Sequence, residues 1–351
     1  MQRVEVSSHL SREILEILQI LLDVDEALIK AAWRDCSQVG RGYFVSKITQ
    51  SNGKVREIHH PTEYMKRLQK RILTQILYRL PISQFAFGGV PKRSYVGAAR
   101  QHLQQDGYIV QLDIKDAFPS TSYANINKYL RRNMKHQLWT FGLNAEARKT
   151  LVGFLTHMMV VNPQGGRFPS LPLGTPTSVA LFNVMWSPID AEIKKTLLQL
   201  MPTQSVRYTR YVDDLTISSD ETLHPDMIAK IGYILKNYGY QLNHNKIKSA
   251  RRDQAYVHGL CWRDGKLSLP EKQVINLAKR VHQLQALTLK HPTPQEWQDA
   301  QSLLQEVQYI LAHVYAHGPY PQGLEIDPSL IEQINAHTTH TQARWVEELW
   351  G

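Results

Sequence analysis

The stretch "RYVDDLTIS", residues 210–218, places two adjacent carboxylates inside an otherwise apolar and β-branched run. Runs of this composition predict β-strands, and each unpaired charge within one costs stability. Asp213 and Asp214 have an ordinary structural explanation, since aspartates are common in tight turns, where their side chains bond to nearby backbone. A pair at a hairpin tip therefore needs no function unless other residues indicate one.

A third carboxylate lies in a matching setting. Asp113 ends another apolar run, "YIVQLD" at residues 108–113, where packing does not explain a charged side chain. If the two strands are neighbours in one sheet, the acids converge, and like charges that close remain ionised only when a cation lies between them. Hard oxygen ligands suit Mg²⁺, and the arrangement fits two-metal phosphoryl transfer, in which one ion activates a hydroxyl and the other stabilises the leaving pyrophosphate.

Composition narrows the class of protein. The chain has 351 residues, enough for two or three domains, and its formal charge of +10 favours a polyanionic partner, either nucleic acid or anionic lipid. The two cysteines, Cys36 and Cys261, are too few and too scattered to predict a disulfide framework or a zinc site. No stretch approaches the roughly 20 apolar residues that span a bilayer, and the N-terminus lacks the layout of a signal peptide, so we expect a cytoplasmic protein.

Local patterns predict a mixture of helices and strands. Asp23, with Glu26 three residues later, predicts a capping box for a second short helix. Asn52-Gly53 and Asp264-Gly265 predict two hairpin turns, and the chain after residue 270 has the periodicity of helices. Further helices are predicted within 8–34, 62–80, 122–138, 145–160, 177–200 and 224–239, and strands within 107–118 and 206–219.

Taken in order, these motifs resemble those of reverse transcriptases, most closely the bacterial retron and retron-like defence group. "QLDIKDAFPS" resembles the first palm motif, "LPLGTPTS" the motif before the long palm helix, and "YVDD" the catalytic hairpin. "LNHNKIK" resembles the lysine-bearing motif, "YVHGL" the block that closes the palm, and "GKVREIHHPTEYMKRLQKRI" the fingers hairpin and its following helix. The resemblance covers roughly residues 40 to 270 and implies an α+β right-hand polymerase, with fingers, an antiparallel-sheet palm and a helical thumb.

The resemblance implies a role for each matched residue of the catalytic centre. Asp113 and Asp213 are the expected principal ligands of two Mg²⁺ ions, for which Mn²⁺ is a candidate substitute, and Asp214 assists them. Ile114 is a further expected metal ligand. Lys246 matches the position proposed to protonate the leaving pyrophosphate as a general acid. Alternatively, it is one solvated member of the basic cluster in which it lies.

A second group of matched residues is expected to bind the incoming nucleotide. Lys54 and Arg56 would cover the triphosphate, although an exposed charged hairpin would also explain them. Phe118 falls where this family places the side chain that blocks a ribose 2′-hydroxyl, which favours deoxynucleotides; ordinary core packing is the alternative. Gly174 and Tyr211 complete the expected nucleotide-binding set.

Three departures separate this chain from the retron pattern. Most relatives have Gln where this chain has Leu173, so a carboxamide that would contact the nucleotide is missing, and Gln164 upstream is interpreted as part of an unrelated loop. Residues 98–102, "AARQH", and 257–259, "VHG", each keep the frame of a retron motif with one substitution. These departures leave room for another defence-associated reverse transcriptase.

Features outside the motifs have ordinary alternatives. The helices after residue 270 match the place of a thumb that grips the template–primer minor groove. His337 and His340 have the helical spacing of a metal pair, yet such pairs are usually solvated, so we assign no zinc. Arg131, Arg132 and Lys135 either contact nucleic acid or form a solvated helix face.

These observations predict four parts: an N-terminal helical extension (1–38), fingers with part of the palm (39–110), a palm with fingers insertions (111–268) and a thumb with C-terminal helices (269–351). The predicted function is RNA-directed DNA polymerisation from dNTPs, making cDNA from a cognate non-coding RNA in bacterial antiviral defence. An effector or toxin protein and self-association are the further partners considered. The alternatives are a non-retron defence polymerase with protein-primed or untemplated synthesis, and a non-catalytic scaffold that binds RNA or a toxin, against which the three retained aspartates argue.

Overall fold

The computed structural model describes residues 10–37, 42–49, 53, 55–162, 169–203, 205–287, 292–316 and 321–336. The chain divides into two compact units, the first formed by Met1–Ala98 with Val110–Ser249 and the second by Ala99–Ile109 with Ala250–Gly351. Helices are mixed with antiparallel strands, so the predicted α+β class is confirmed. Within the stretches described, no helix has the length and apolar character that crossing a membrane requires.

Helices and strands follow one another along the chain. The helices are α1 (Arg12–Leu22), α2 (Glu26–Ser37), α3 (Glu63–Gln75), α4 (Tyr95–His102), α5 (Ala117–Ser120), α6 (Tyr123–Asn133), α7 (Lys135–Trp139), α8 (Ala145–His157), α9 (Ser178–Leu200), α10 (Met227–Asn237), α11 (Glu271–Leu287) and α12 (Pro294–His313). The strands are β1 (Tyr43–Thr49), β2 (Val55–Pro61), β3 (Tyr108–Asp113), β4 (Arg207–Tyr211), β5 (Asp214–Ser219), β6 (Lys248–Arg251), β7 (Tyr256–Val257), β8 (Leu260–Arg263) and β9 (Lys266–Ser268).

A four-stranded sheet in the order β4-β5-β3-β6, most of whose residues belong to the first unit, carries the two acid-bearing runs. β4 and β5 form the predicted antiparallel hairpin, with Tyr211 opposite Asp214. Beyond Asp214, every residue of β5 is buried, the small polar residues Thr216, Ser218 and Ser219 as well as Leu215 and Ile217. Because β3 is the next strand after β5, the runs that end in Asp113 and begin at Asp214 are neighbours, as the sequence predicted.

The long helix α9 supplies much of the core of this unit. Its buried side chains include Phe182 and Trp186, neither of which is exposed to solvent, together with Leu181, Val184 and Ile193. Burial of large apolar side chains contributes roughly 1.5–3 kcal/mol each to folding. Asp190 is buried in the same helix among these apolar residues, and its partners are described with the site below.

β1 and β2 form an antiparallel two-stranded sheet that runs from the Tyr43–Pro61 pair to the Thr49–Val55 pair. Most of its side chains are exposed, including Phe44 and Ile48, at 71% and 50%. The predicted hairpin turn falls largely outside the described residues, which include Gly53 but not Asn52 or Lys54. Gly53 has a φ of 78°, a left-handed conformation that glycine adopts without strain.

Two local predictions from the sequence are wrong. Asp23 does not cap α2, because it ends α1 in a left-handed conformation, with φ at 53°. Asp25 takes the capping position, and its Oδ1 atom accepts a hydrogen bond of 2.7 Å from the Leu28 backbone N–H. The helix predicted over 122–138 is interrupted at Met134, where φ and ψ are −88° and 6°, so that α6 and α7 are separate helices.

The second unit contains the three-stranded antiparallel sheet β7-β8-β9. Asp264 and Gly265 join β8 to β9 with φ angles of 51° and 74°, which confirms the predicted hairpin turn. α11 and α12 confirm the predicted helical character of the chain over 271–287 and 294–313, while His337 and His340 lie outside the described residues. Thr293 and Glu296 form a capping box at the start of α12.

Candidate active site

A tight turn between β4 and β5 presents two of the three candidate carboxylates. Tyr211 pairs with Asp214, so Val212 and Asp213 form a two-residue loop. Val212 has a φ of 57°, which is strained for a β-branched residue and is usually reserved for glycine in such turns. Gly88 packs directly against this turn, because a Cβ atom at Gly88 would lie 2.7 Å from Val212 Cγ2 and 2.8 Å from its backbone nitrogen.

The third carboxylate reaches the turn through the backbone. The Ile114 N–H donates a hydrogen bond of 3.1 Å to the Asp213 carbonyl, immediately after Asp113 ends β3. Asp113, Asp213 and Asp214 all line one pocket of about 1280 Å³. The structure therefore brings together the three acids that the sequence placed on two separate strands. Ile114 lines the same pocket, and its apolar side chain leaves the backbone carbonyl as its only donor to a metal ion.

Asp113 is held by two side chains of the lysine-bearing segment. Lys246 Nζ donates to Asp113 Oδ1 at 2.7 Å, and Asn243 Nδ2 donates to Asp113 Oδ2 at 3.1 Å. The Asn243 backbone N–H also donates to the Asp113 carbonyl, at 2.8 Å. Lys246 thus contacts a carboxylate instead of extending freely into solvent, and Asn243 is a site residue that the sequence did not single out.

Convergence of the acids changes their titration. Burial raises the pKa of Asp213, and the charge of Asp113 raises it further, while its own backbone hydrogen bond and the charges of Arg56 and Lys246 oppose the shift. The pKa of Asp214 is raised from 3.8 to about 6, first by burial and then by the charges of Asp213 and Asp113. Raised pKa values are the expected result of placing like charges together in a partly desolvated pocket.

The donor set matches the chemistry of a hard divalent cation. Carboxylate oxygens are the ligands that Mg²⁺ and Mn²⁺ prefer, and an ion between the acids would offset both the burial and the repulsion that raise the pKa values of Asp213 and Asp214. Among the described residues, however, no three His, Cys, Asp or Glu side chains are already arranged to hold a metal ion. The contacts of Asp113 with Lys246 and Asn243 engage both of its carboxylate oxygens.

Only some of the residues expected to bind the nucleotide line the pocket of the acids. Arg56, Phe118 and Tyr211 line the same pocket as the acids, whereas Lys54 lies outside the described residues. Phe118 is 8% exposed and stacks on Phe182, with ring centroids 5.3 Å apart and planes inclined by 14°. It therefore packs into the core and lines the pocket at the same time, so the two explanations offered for it are compatible.

Gly174 supports β2 and does not line the pocket. It has a φ of 101°, and a Cβ atom there would lie 2.5 Å from Ile58 Cγ2 and 3.1 Å from the His59 carbonyl. The His59 N–H donates to the Leu173 carbonyl at 2.8 Å. Leu173 itself lines the pocket, so an apolar side chain occupies the position for which the resemblance implies a carboxamide. Gln164 lies outside the described residues.

A buried ion pair beneath the turn is the largest feature that the sequence analysis missed. Arg210 and Asp190 are both fully buried, with Nε–Oδ1 and Nη2–Oδ2 distances of 2.9 and 3.0 Å. The Tyr208 hydroxyl donates to Asp190 at 2.7 Å. Arg210 Nη1 donates to the Asn183 side-chain oxygen at 2.8 Å and to the Val212 carbonyl at 2.9 Å. The guanidinium therefore connects the core helix α9 to the strained residue of the turn.

Aromatic rings complete the environment of this cation. The Arg210 guanidinium carbon lies 5.6 Å from the centre of the Phe182 ring and 5.3 Å from that of the Trp186 ring, within the range of cation–π attraction. Because Phe182 also stacks on Phe118, one continuous cluster supports both the acidic turn and the side of the pocket that carries Phe118. In the sequence, Arg210 and Asp190 each stand out as a charged residue within an apolar run. The sequence alone does not reveal that they pair.

Comparisons with known proteins agree with the motifs. The family model described as reverse transcriptase (RNA-dependent DNA polymerase) matches residues 46–269. The chain is 31% identical over 222 residues to the Retron Mx65 reverse transcriptase of Myxococcus xanthus, covering 61% of this chain and 49% of that protein. It is 28% identical over 256 residues to the Retron Mx162 reverse transcriptase of the same organism, covering 66% and 51% of the two chains. The chain thus spans about half the length of these two relatives.

Further comparisons extend to another organism and to solved structures. The Retron Ec86 reverse transcriptase of Escherichia coli is 26% identical over 234 residues, covering 66% of each chain. A telomerase structure from Candida albicans, in complex with a fragment of telomeric RNA, aligns with a TM-score of 0.45 and 14% identity over 87% of this chain and 60% of that one, a likeness too low to bear on the fold. The predicted resemblance to retron-type reverse transcriptases is confirmed by the family and the curated relatives.

Proposed function

Because this chain belongs to the reverse transcriptase (RNA-dependent DNA polymerase) family and has its right-hand polymerase fold, we propose that it copies RNA into DNA at the pocket of Asp113, Asp213 and Asp214. Its similarity to retron enzymes supports a retron-like role, in which a cognate non-coding RNA is the template for cDNA in bacterial antiviral defence. The proposal places this activity in the cytoplasm. The observation that carries it is the 3.1 Å hydrogen bond from Ile114 to Asp213, which joins the two acid-bearing strands.

We further propose two Mg²⁺ ions as cofactors, with Mn²⁺ as a substitute, held by Asp113, Asp213 and Asp214 and by the Ile114 carbonyl. When bound, the ions supply activation of the primer hydroxyl and stabilisation of the leaving pyrophosphate. For this binding Asp113 must exchange at least part of its contact with Lys246. The released ammonium would then lie close enough to the acids to donate a proton to the pyrophosphate as a general acid.

The remaining pocket residues orient the nucleotide. Arg56, together with Lys54, would bind the triphosphate of a dNTP, since guanidinium and ammonium groups are the usual partners of phosphate oxygens. Phe118 lines the pocket as a rigid ring backed by Phe182, which suits it to exclude a ribose 2′-hydroxyl. Tyr211 also lines the pocket, and Gly174 holds β2 in place beside it.

We propose that the chain has four parts. Residues 1–38 would form an extension, 39–110 the fingers with part of the palm, 111–268 the palm with fingers insertions, and 269–351 the thumb with the C-terminal helices. In this scheme the acids belong to the palm and Arg56 to the fingers, while the thumb grips the template–primer duplex through backbone contacts. RNA template and cDNA product are the proposed partners.

One observation favours a second candidate within the same chemistry. Leu173 gives the pocket an apolar surface where a carboxamide would contact the nucleotide, which would relax selection by the template. A non-retron defence polymerase with protein-primed or untemplated synthesis is therefore the alternative. A non-catalytic scaffold is disfavoured. A cluster of acids with raised pKa values destabilises the fold, and a protein that only binds RNA or a toxin has no use for it.

Primer extension tests the polymerase directly. The wild-type chain, supplied with an RNA template, a DNA primer, dNTPs and Mg²⁺, is expected to extend the primer, and the Asp213→Ala/Asp214→Ala variant is not. Asp226→Ala, which removes an exposed aspartate at the start of α10, is the matched control and should extend normally. Absence of metal-dependent incorporation by the wild type would rule out the enzymatic proposal.

Sequencing the nucleic acid that copurifies with the chain separates the two polymerase candidates. A structured RNA joined to one discrete complementary DNA would support the retron-like role. Repetitive DNA without an RNA complement would support the untemplated alternative and contradict the retron-like role.

A further inference from the structure

A row of exposed cations on α6 and α7 lies outside the active-site pocket. Four Lys and Arg side chains and one His recur at spacings that place them on one side of the two consecutive helices, and Trp139 lies at the end of the row. We call this surface the α6–α7 row; it consists of Lys128, Arg131, Arg132, Lys135, His136 and Trp139, all of them exposed. None of the six lines the pocket that contains the acids.

The opposite side of the same helices is packed in the core. Ile126, Leu130, Met134 and Leu138 recur every four residues, and none is more than 3% exposed. Hydrogen bonds from Met134 to Leu130 and from Leu138 to Met134 continue the helical pattern across the interruption between α6 and α7. The row therefore has a fixed orientation toward solvent, and it extends over about 16 Å at the rise of a helix.

The row lacks compensating negative charge. Between Asp116 and Glu146 the chain has no acidic residue. Among the described residues, no carboxylate lies within ion-pair distance of Lys128, Arg131, Arg132 or Lys135; on α8, the adjacent helix, Glu146 is paired with Lys149. Surface cations of ordinary solvated helices are usually interspersed with acids. A row of side chains that are all positively charged is typical of a surface that binds a polyanion.

Trp139 narrows the chemistry of the partner. Its side chain is 80% exposed, the largest exposure among the large hydrophobic side chains described. An indole beside a row of cations can stack on an unpaired base while the cations contact neighbouring phosphates. A membrane partner does not suit this surface, because an interfacial helix inserts its apolar face, and here that face is already buried.

We propose that the α6–α7 row binds a hairpin of structured RNA outside the catalytic pocket, with Lys128, Arg131, Arg132 and Lys135 on the phosphates of the stem and Trp139 on an unpaired base of the loop. This site would hold a folded RNA while a different segment occupies the pocket as template. The inference does not depend on catalysis, because the surface is defined by charge and exposure and its test measures binding.

Fluorescence anisotropy of a labelled RNA hairpin tests the cationic part of the row. Arg131→Glu/Arg132→Glu/Lys135→Glu is expected to weaken binding at least about tenfold and to lower the slope of log K against log salt by about 2 to 3, as expected for three lost phosphate contacts. Lys195→Glu/Lys230→Glu/Lys236→Glu changes the same net charge at exposed positions of α9 and α10 and should have a much smaller effect. Equal losses in the two variants would overturn the proposal, because they would reflect net charge alone.

Substitution of Trp139 tests the contact with the loop. Trp139→Ala is expected to weaken binding of the hairpin by roughly fivefold or more and to leave binding of a blunt RNA duplex of the same stem unchanged, since only the hairpin offers an unpaired base. Trp139→Phe should retain most of the affinity. Equal losses for hairpin and duplex would contradict the stacking contact.

Two further measurements distinguish other partners and a loss of fold. The variants should extend a short unstructured template as well as the wild type does, which reports an intact pocket. Binding to vesicles that contain phosphatidylserine should be weak and insensitive to the triple Glu variant of the row. If vesicle binding depends on the row while hairpin binding does not, the surface recognises anionic lipid and the proposal is wrong.

Discussion

Lys246 Nζ lies 2.7 Å from Asp113 Oδ1, so the lysine-bearing segment and the end of β3 are joined by an ion pair inside the proposed active site. The lysine is 47% exposed and the aspartate 14%, which leaves the ammonium within reach of solvent and substrate. The pair places a positive charge beside three acids, and its charge lowers the pKa values of Asp213 and Asp214. Lys246 is thereby suited both to hold Asp113 and to act as a general acid.

Removal of this charge should slow nucleotide incorporation. Lys246→Met is expected to reduce kcat by about 100-fold, the lower end of what general acid catalysis contributes, and to move the acidic limb of the pH profile to higher pH. The shift has this sign because loss of the cation lets the pKa values of Asp213 and Asp214 rise further. Single-nucleotide incorporation measured across pH gives both quantities.

Lys248→Met is the control for Lys246→Met, since it removes the same charge two residues further along the chain, and the described chain gives no contact between Lys248 and Asp113. Because the charge of Lys248 also lowers the pKa of Asp214, the two variants are compared by kcat and not by the pH profile. It should retain most of kcat. A Lys246→Met enzyme as active as the wild type would support the alternative of a solvated lysine without a catalytic role.

The raised pKa of Asp214 predicts a stability effect that depends on pH. Between 3.8 and about 6 the folded state binds more protons than the unfolded state, so this group lowers the free energy of unfolding as pH rises through that window. Asp214→Asn should therefore stabilise the metal-free chain at about pH 7 by roughly 1 kcal/mol, a figure reduced for solvent screening, and should have little effect near pH 3.5. Urea denaturation in the presence of a chelator measures the difference.

Asp226→Asn provides the comparison for this experiment, because it neutralises an exposed aspartate at the start of α10. It should not stabilise the chain at about pH 7 as Asp214→Asn does. A stabilisation by Asp214→Asn that is independent of pH would contradict a pKa raised by burial and by the neighbouring acids.

The buried pair of Arg210 and Asp190 should affect stability and catalysis separately. Asp190→Ala leaves a buried guanidinium without its carboxylate and is expected to cost about 3–5 kcal/mol of unfolding free energy. Asp190→Leu/Arg210→Met replaces both charges by apolar groups and should recover most of that stability. The double variant still lacks the donor to the Val212 carbonyl, so its kcat should remain low.

Denaturant unfolding and steady-state kinetics on the same samples make this comparison. If the double variant recovers both stability and kcat, Arg210 contributes to folding alone and does not position the turn. If the variant recovers neither, local packing cannot accommodate the apolar pair, and Tyr208→Phe provides a milder test, with an expected cost of about 1.5–3 kcal/mol for its hydrogen bond to Asp190.

Gly88 should be intolerant of a side chain because the turn lies against it. Gly88→Ala would place a methyl group 2.7 Å from Val212 Cγ2, so the turn must shift, at a cost of about 1–3 kcal/mol and a loss of kcat. Gly97→Ala is the matched control, since the nearest atom to its Cβ position, Phe87 Cε1, is 3.4 Å away and the residue lies in α4. This control should be neutral or slightly stabilising. Equal activity of the two variants would contradict the close fit of the turn.

Local sequence was sufficient where neighbouring residues decide the structure. The turn at Asp264-Gly265 follows from turn chemistry and is confirmed, whereas the hairpin of Tyr211 and Asp214 was expected only from the resemblance of its motif, since Val212 is an unusual residue for such a turn. The capping prediction at Asp23 was wrong because two acids, Asp23 and Asp25, lie within reach of the same helix start, and backbone geometry decides between them.

Contacts between distant residues set the limit of the sequence analysis. The pairing of Arg210 with Asp190 joins a strand to a helix, and the contacts of Asp113 with Asn243 and Lys246 span more than a hundred residues of chain. No periodicity within one element specifies such partners. The motifs therefore identified the acids correctly as neighbours, while the groups that hold them in place became evident only in the folded chain.

Binding of Mn²⁺ to the metal-free chain, followed by electron paramagnetic resonance, tests the central proposal most directly, because it reports the ions without requiring catalysis. The wild type is expected to bind Mn²⁺ in competition with Mg²⁺. Asp113→Asn and Asp213→Asn should each weaken binding by at least about tenfold, since one removes a ligand at the end of β3 and the other a ligand in the turn between β4 and β5. Undiminished binding by both variants, with Asp226→Asn as the reference, would contradict a shared site for divalent ions.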